Sequence, residues 1–83
     1  MRMSALRIAP LVSCDAEAWR ERVLGNSRAG DGLEHVQVRA GPQGLDIFAF
    51  YRVASTQEAD IRLRRLVETT LVNTPEFQFW RIV

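Results

Sequence analysis

Residues 45–53, Leu-Asp-Ile-Phe-Ala-Phe-Tyr-Arg-Val, constrain the fold more than any other stretch of this chain. They are rich in aromatic and β-branched residues, follow a Gly-Pro-Gln-Gly turn signal and precede a Ser-Thr-Gln-Glu helix start. On a strand, Ile47, Ala49, Tyr51 and Val53 point one way, and Phe48, Phe50 and Arg52 the other. A strand that is apolar on both sides belongs in the middle of a sheet with something covering each side. Helices account for one cover. The other is the functional question.

The flanking segments supply the partners. Residues 5–12 read as a first strand, with Leu6 and Ile8 on one face and Arg7 and Ala9 on the other. Pro10, which cannot donate to a ladder, should end its pairing. Ser13-Cys14-Asp15 offers cap chemistry for a helix from about residue 15 to Leu24 that buries Ala16, Trp19 and Val23 and stops at Gly25-Asn26. Arg20 falls inside that apolar arc, and is expected to lay its stem on the sheet edge with its head in water. Residues 25–33 carry three glycines, but they follow a helix and lack a Gly-Lys-Ser/Thr ending. They therefore read as a mobile connection and not as a phosphate cradle.

Glu34 to Ala40 alternates, Val36 and Val38 against His35, Gln37 and Arg39, as an edge strand with one wet face. Gly41-Pro42-Gln43-Gly44 turns it into the central strand. Ser55-Thr56-Gln57-Glu58 has the form of a capping box. The helix it opens should run to about Val72 and bury Ala59, Leu63, Leu66, Val67 and Thr70. Glu58–Arg62, Asp60–Arg64 and Arg64–Glu68 then pair along the solvated side. Asn73-Thr74-Pro75 ends it, and Glu76 to Val83, with Phe77, Phe79, Trp80 and Ile82, reads as a last strand.

Strand, helix, strand, strand, helix, strand, with right-handed crossovers, gives one α+β domain over residues 1–83: a ferredoxin-like plait of strand order 4-1-3-2 with both helices on one face. If Gly41 pairs with Gly44, the helix side holds Leu6, Ile8, Val36, Val38, Ile47, Ala49 and Tyr51. The open face then holds Phe48 and Phe50 beside Arg7, His35, Gln37, Arg39 and Arg52, with Trp80 arriving from the last strand. A small monomer does not normally expose such an apolar patch. The expectation is a homodimer whose interface uses Phe48, Phe50, Arg52, Arg7, His35, Arg39 and Trp80. Another protein partner or a small apolar ligand are the alternatives.

Several plait families offer comparisons. Phe48 and Phe50, two apart with arginines nearby, resemble in outline the base-stacking aromatics of RNA-recognition domains, which implies single-stranded nucleic acid as a ligand. Gln43 to Phe50 departs from that motif at several positions, however, and Arg7 stands where its first strand carries an aromatic. Metal-chaperone plaits need Cys-x-x-Cys, whereas Cys14 stands alone and is followed by Asp15 and Glu17. Pro10 to Cys14 lacks the Gly-rich loop of acylphosphatases. Dimeric α/β-barrel proteins, small monooxygenases among them, are similar in pairing plaits through their open faces around a pocket. Here that similarity brings no specific residues with it.

Composition narrows the classes further. The formal charge is +1 and the pI about 8.0, so no global field attracts nucleic acid or an acidic membrane. All 11 basic residues are arginine, which excludes Schiff-base lysine chemistry and points to a GC-rich bacterial genome. A single cysteine allows no internal disulfide. Met1 to Arg7 lacks the apolar run of a secretory leader, so a cytoplasmic protein without cofactor or metal is expected. His35 has no second base or nucleophile near it in the sequence pattern, so no catalytic residue is assigned.

Overall fold

The computed structural model describes residues 1–9, 16–41 and 44–83. The expectations for Pro10 to Asp15, including the cap at Ser13-Cys14-Asp15 and any role of Cys14, lie outside the described residues, as do Pro42 and Gln43. The elements are β1 (Arg2–Ala9), α1 (Ala16–Asn26), β2 (Leu33–Gly41), β3 (Gly44–Tyr51), α2 (Thr56–Asn73), a 3₁₀ turn (Pro75–Phe77) and β4 (Arg81–Ile82). They form an antiparallel sheet of order β2-β3-β1-β4, which is 4-1-3-2 read from the other edge. The chain is a ferredoxin-like plait. None of its described helices is long and apolar enough to cross a membrane.

The hairpin register follows from the glycines. Gly41 pairs with Gly44, Val38 with Ile47 and Val36 with Ala49, so the apolar sets of β2 and β3 share one face. The ladder breaks register between Leu33 and His35, a bulge that leaves Glu34 free to turn toward Arg52. On β3 burial alternates strictly: Leu45, Ile47, Ala49 and Tyr51 are buried and Asp46, Phe48 and Phe50 half-buried. Ile8 and Val36 join the buried set, while Leu6 and Val38 pack on it from its margin.

Helix α2 meets its expectation residue by residue, burying Ala59, Leu63, Leu66, Val67 and Thr70. Ser55 has extended backbone angles, and its Oγ accepts from the Glu58 N–H at 3.1 Å. The Glu58 carboxylate turns along the helix to Arg62 at 3.0 Å. Asp60 pairs with the sheet and not with Arg64: the buried Ser4 donates to its Oδ1 at 2.5 Å, tying β1 to α2. Ser55→Ala should therefore cost roughly 0.5–2 kcal/mol, read as a lower urea midpoint with unchanged light scattering, because the cap lies on the helix layer.

Helix α1 extends past Gly25 to Asn26. Arg20 lies at the sheet edge as expected, but its head is not given wholly to water. Nε donates to the Val36 carbonyl of the edge strand at 3.1 Å, and NH1 lies 3.7 Å from Glu17.

The C-terminal segment differs from its expected form. It is not a strand over 76–83 but a 3₁₀ turn followed by a two-residue strand pairing Ile82 with Ile8 and Arg81 with Ala9. Pro75 opens the turn, and the Phe77 and Trp80 N–H groups bond to the Thr74 and Phe77 carbonyls, each at 2.9 Å. Phe77 and Trp80 consequently point into the core. Phe77 stacks on Trp19 at 4.2 Å and 12°, and Trp80 meets the same indole edge-on at 5.2 Å and 71°. Phe79 is left exposed.

Candidate functional site: the open face of the sheet

Register places the open-face residues in rows across the strands. One row is His35, Phe50 and Met3; the next is Gln37, Phe48 and Ala5; the third is Arg39, Asp46 and Arg7. The backbone N–H of Val83 bonds to the Arg7 carbonyl at 2.9 Å, which brings the C-terminal residue alongside that third row. The centre of the face is therefore apolar: two phenylalanines, an alanine and a methionine that is 50% exposed.

Charged and aromatic groups border this centre. The Arg39 guanidinium carbon sits 5.9 Å from the centroid of the Phe48 ring, a cation–π contact. The His35 ring lies 5.9 Å from Phe50, tilted by 44°. Arg7 Nε donates to Asp46 Oδ1 at 2.8 Å, and this hydrogen bond, followed by the carboxylate's charge, raises the Arg7 pKa. At the far end of the strands Arg52 Nε pairs with Glu34 at 2.8 Å. Both rims hold a pair of opposite charges.

Six of the seven residues expected at the interface lie on or beside this face. Phe48, Phe50, Arg7, His35 and Arg39 belong to its rows, while Arg52 stands just past the end of β3 and is highly exposed. Trp80 does not belong to it. It is only 7% exposed, packed against Trp19 in the helix-side core, because the 3₁₀ turn rotates it away from the position a continuous strand would have given it. Met3 and Asp46 were missed. Asp46 alternates onto the Phe48 side of β3, so the hairpin pattern alone contained that signal. Met3 required the β1–β3 register, and β1 begins three residues earlier than its apolar pattern suggested.

Among the described residues the face offers no nucleophile, and the one ring contact of His35 is with Phe50. Among the described residues, no group of three or more His, Cys, Asp or Glu could hold a metal ion. Its chemistry is that of contact: flat rings, cation–π pairing and exposed methyl groups between charged rims. The chain matches no protein-family model, no curated protein and no solved structure.

Proposed function

We propose that this protein is a non-enzymatic, cytoplasmic interaction module that self-associates, its open face covered by the open face of a second copy. The observation that carries this reading is the pair of half-buried phenylalanines, Phe48 and Phe50, at the centre of a sheet face that none of the described helices covers. An apolar centre with a polar rim is the anatomy of a protein interface.

Charge distribution and size favour a second copy over other occupants. A twofold axis in the plane of the face and across the strands brings the Arg7–Asp46 rim of one copy over the Arg52–Glu34 rim of the other. Each rim carries both signs, so the surface is complementary to itself. Three long strands give a face of roughly 400–500 Å² in projection, so two copies bury on the order of 1,000 Å², the threshold for a specific interface. A single-stranded nucleic acid would instead call for unneutralised arginines, whereas Arg7 and Arg52 are each paired with a carboxylate.

Phe48→Ala combined with Phe50→Ala should convert a dimer into a folded monomer, since neither side chain belongs to the buried core. Light scattering and circular dichroism on one sample read both properties. A wild type that is monomeric at high micromolar concentration would sink the proposal. Salt-sensitive binding of single-stranded RNA by the wild type, abolished in the double variant, would replace it with base stacking.

A further inference from the structure

On the helix side of the molecule, away from the open face, a cleft of about 380 Å³ opens between the 27–32 loop and α2. Its apolar wall is made by Leu66 and Tyr51, and its polar groups include the guanidinium-bearing Arg28, Arg62 and Arg65 and the Thr69 side chain. We propose that this cleft binds a small phosphomonoester, an anionic phosphate carried on a compact apolar or aromatic body.

The arginines differ in how they are held. Arg62 is fixed: one terminal nitrogen donates to the Asp31 backbone carbonyl and the other to Glu58 Oε1 at 3.0 Å, leaving further donors on the fork. Arg28 is positioned by its backbone, since its N–H donates to Asp31 Oδ2 at 2.7 Å while the Asp31 N–H returns to the Arg28 carbonyl at 3.2 Å. This reciprocal turn fixes the backbone of Arg28 at the cleft it lines. Arg65 is exposed and forms no ion pair among the described residues. Asp31 and Glu58 offset two of the three positive charges, so the cleft keeps a net positive charge and the side-chain donors of Arg28 and Arg65.

Phosphate fits these donors better than carboxylate does. Three arginines line one cleft, and together they carry more N–H donors than two carboxylate oxygens can accept, whereas a phosphomonoester presents three acceptor oxygens and close to two charges. The Tyr51 phenol adds a neutral group at the floor. Burial first, then the Asp31 carboxylate, pushes it up to about 12, so it keeps its proton at neutral pH and can donate. Its ring and Leu66 offer an apolar wall to the body of the ligand. The loop glycines do not form the backbone cradle of a nucleotide-binding motif; here side chains supply the donors.

The test is calorimetric titration of the full chain with phenyl phosphate, with inorganic phosphate and benzoate as comparisons. Phenyl phosphate should bind saturably and shift the NMR signals of Tyr51 and Thr69. Arg28→Gln and Arg65→Gln, both at exposed positions, should each weaken it roughly tenfold or more without changing the melting curve of the free protein. Absence of saturable binding, affinity unchanged in both variants, or benzoate binding as tightly as phenyl phosphate would each overturn the assignment. This cleft does not rest on the open-face reading, because binding is scored here and oligomeric state there.

Discussion

Trp19→Ala should leave a chain that no longer melts cooperatively near room temperature. Trp19 is fully buried, and it is the side chain on which both C-terminal aromatics rest. Its removal costs about 3–5 kcal/mol as a large-to-small core substitution, and two ring–ring contacts go with it. A domain of 83 residues has a total stability on the order of 4–12 kcal/mol, so this loss with the two ring contacts takes from roughly a third to all of it. Thermal denaturation followed by circular dichroism reads the outcome, and a variant melting within a few degrees of wild type would refute it. Trp19→Phe is the informative companion. The indole Nε1 is buried and finds no acceptor among the described residues, so replacing it by a phenyl ring removes an unsatisfied donor and should recover much of the loss.

Gly44→Ala should be the most damaging conservative change on the sheet. Gly44 has φ +152°, a conformation L side chains rarely adopt, and an added Cβ would stand 2.1 Å from the Ile8 carbonyl oxygen and 3.2 Å from the Ala9 Cα. Both obstacles are backbone, so β1 and β3 must separate at this end. The disturbance reaches β4, because Ile8 also pairs with Ile82. Backbone strain of roughly 1–3 kcal/mol and overpacking of similar size combine here. Gly25→Ala is the control. Gly25 lies in α1, with nothing within 4 Å of the added methyl, so it should stabilise by about 0.4–1 kcal/mol. Urea denaturation of the pair decides, and equal midpoints would show that the approach of Gly44 to Ile8 does not constrain the sheet.

The parts of the fold that were legible in the sequence are those set by local periodicity. The 3.6-residue repeat of Ala59, Leu63, Leu66, Val67 and Thr70 defines the buried stripe of α2 without outside information, and the Ser55 cap fixes where it starts. Gly41 and Gly44 framed the hairpin, but a one-residue bulge between them would have inverted its faces, so the side of β3 that meets the helices was decided only by the Gly41–Gly44 pairing in the structure. The C-terminal segment misleads because its composition is that of a strand while its spacing is not. Phe77 and Trp80 are buried three residues apart, with Gln78 and Phe79 outward between them, which is the period of a tight helical turn. Pro75 is the signal that distinguishes the two, being suited to the first position of such a turn.

Contacts between distant segments were not legible. Ser4–Asp60 and Arg7–Asp46 depend on how β1 slides against its neighbours, and no residue near either partner encodes that. Asp60 and Arg64 have the spacing of a helix-surface pair, yet Asp60 turns to the sheet because Ser4 is buried beneath it. Residues 25–33 carry no glycine-loop motif for phosphate. The cleft draws instead on arginines from two segments more than thirty residues apart, which no local motif joins.

Arg20 has a wider consequence. By donating to the Val36 carbonyl it occupies a hydrogen-bonding site on the rim of β2, the long outermost strand, while the opposite rim is formed by β4, only two residues in length. Each end of the sheet thus offers a poor template for the backbone of an incoming strand. Recruitment of strands side by side is how sheets grow into fibres without limit; here Arg20 takes one acceptor on the first route and the shortness of β4 limits the second. The proposed self-association would instead stack surfaces, a geometry that a twofold axis closes after one partner.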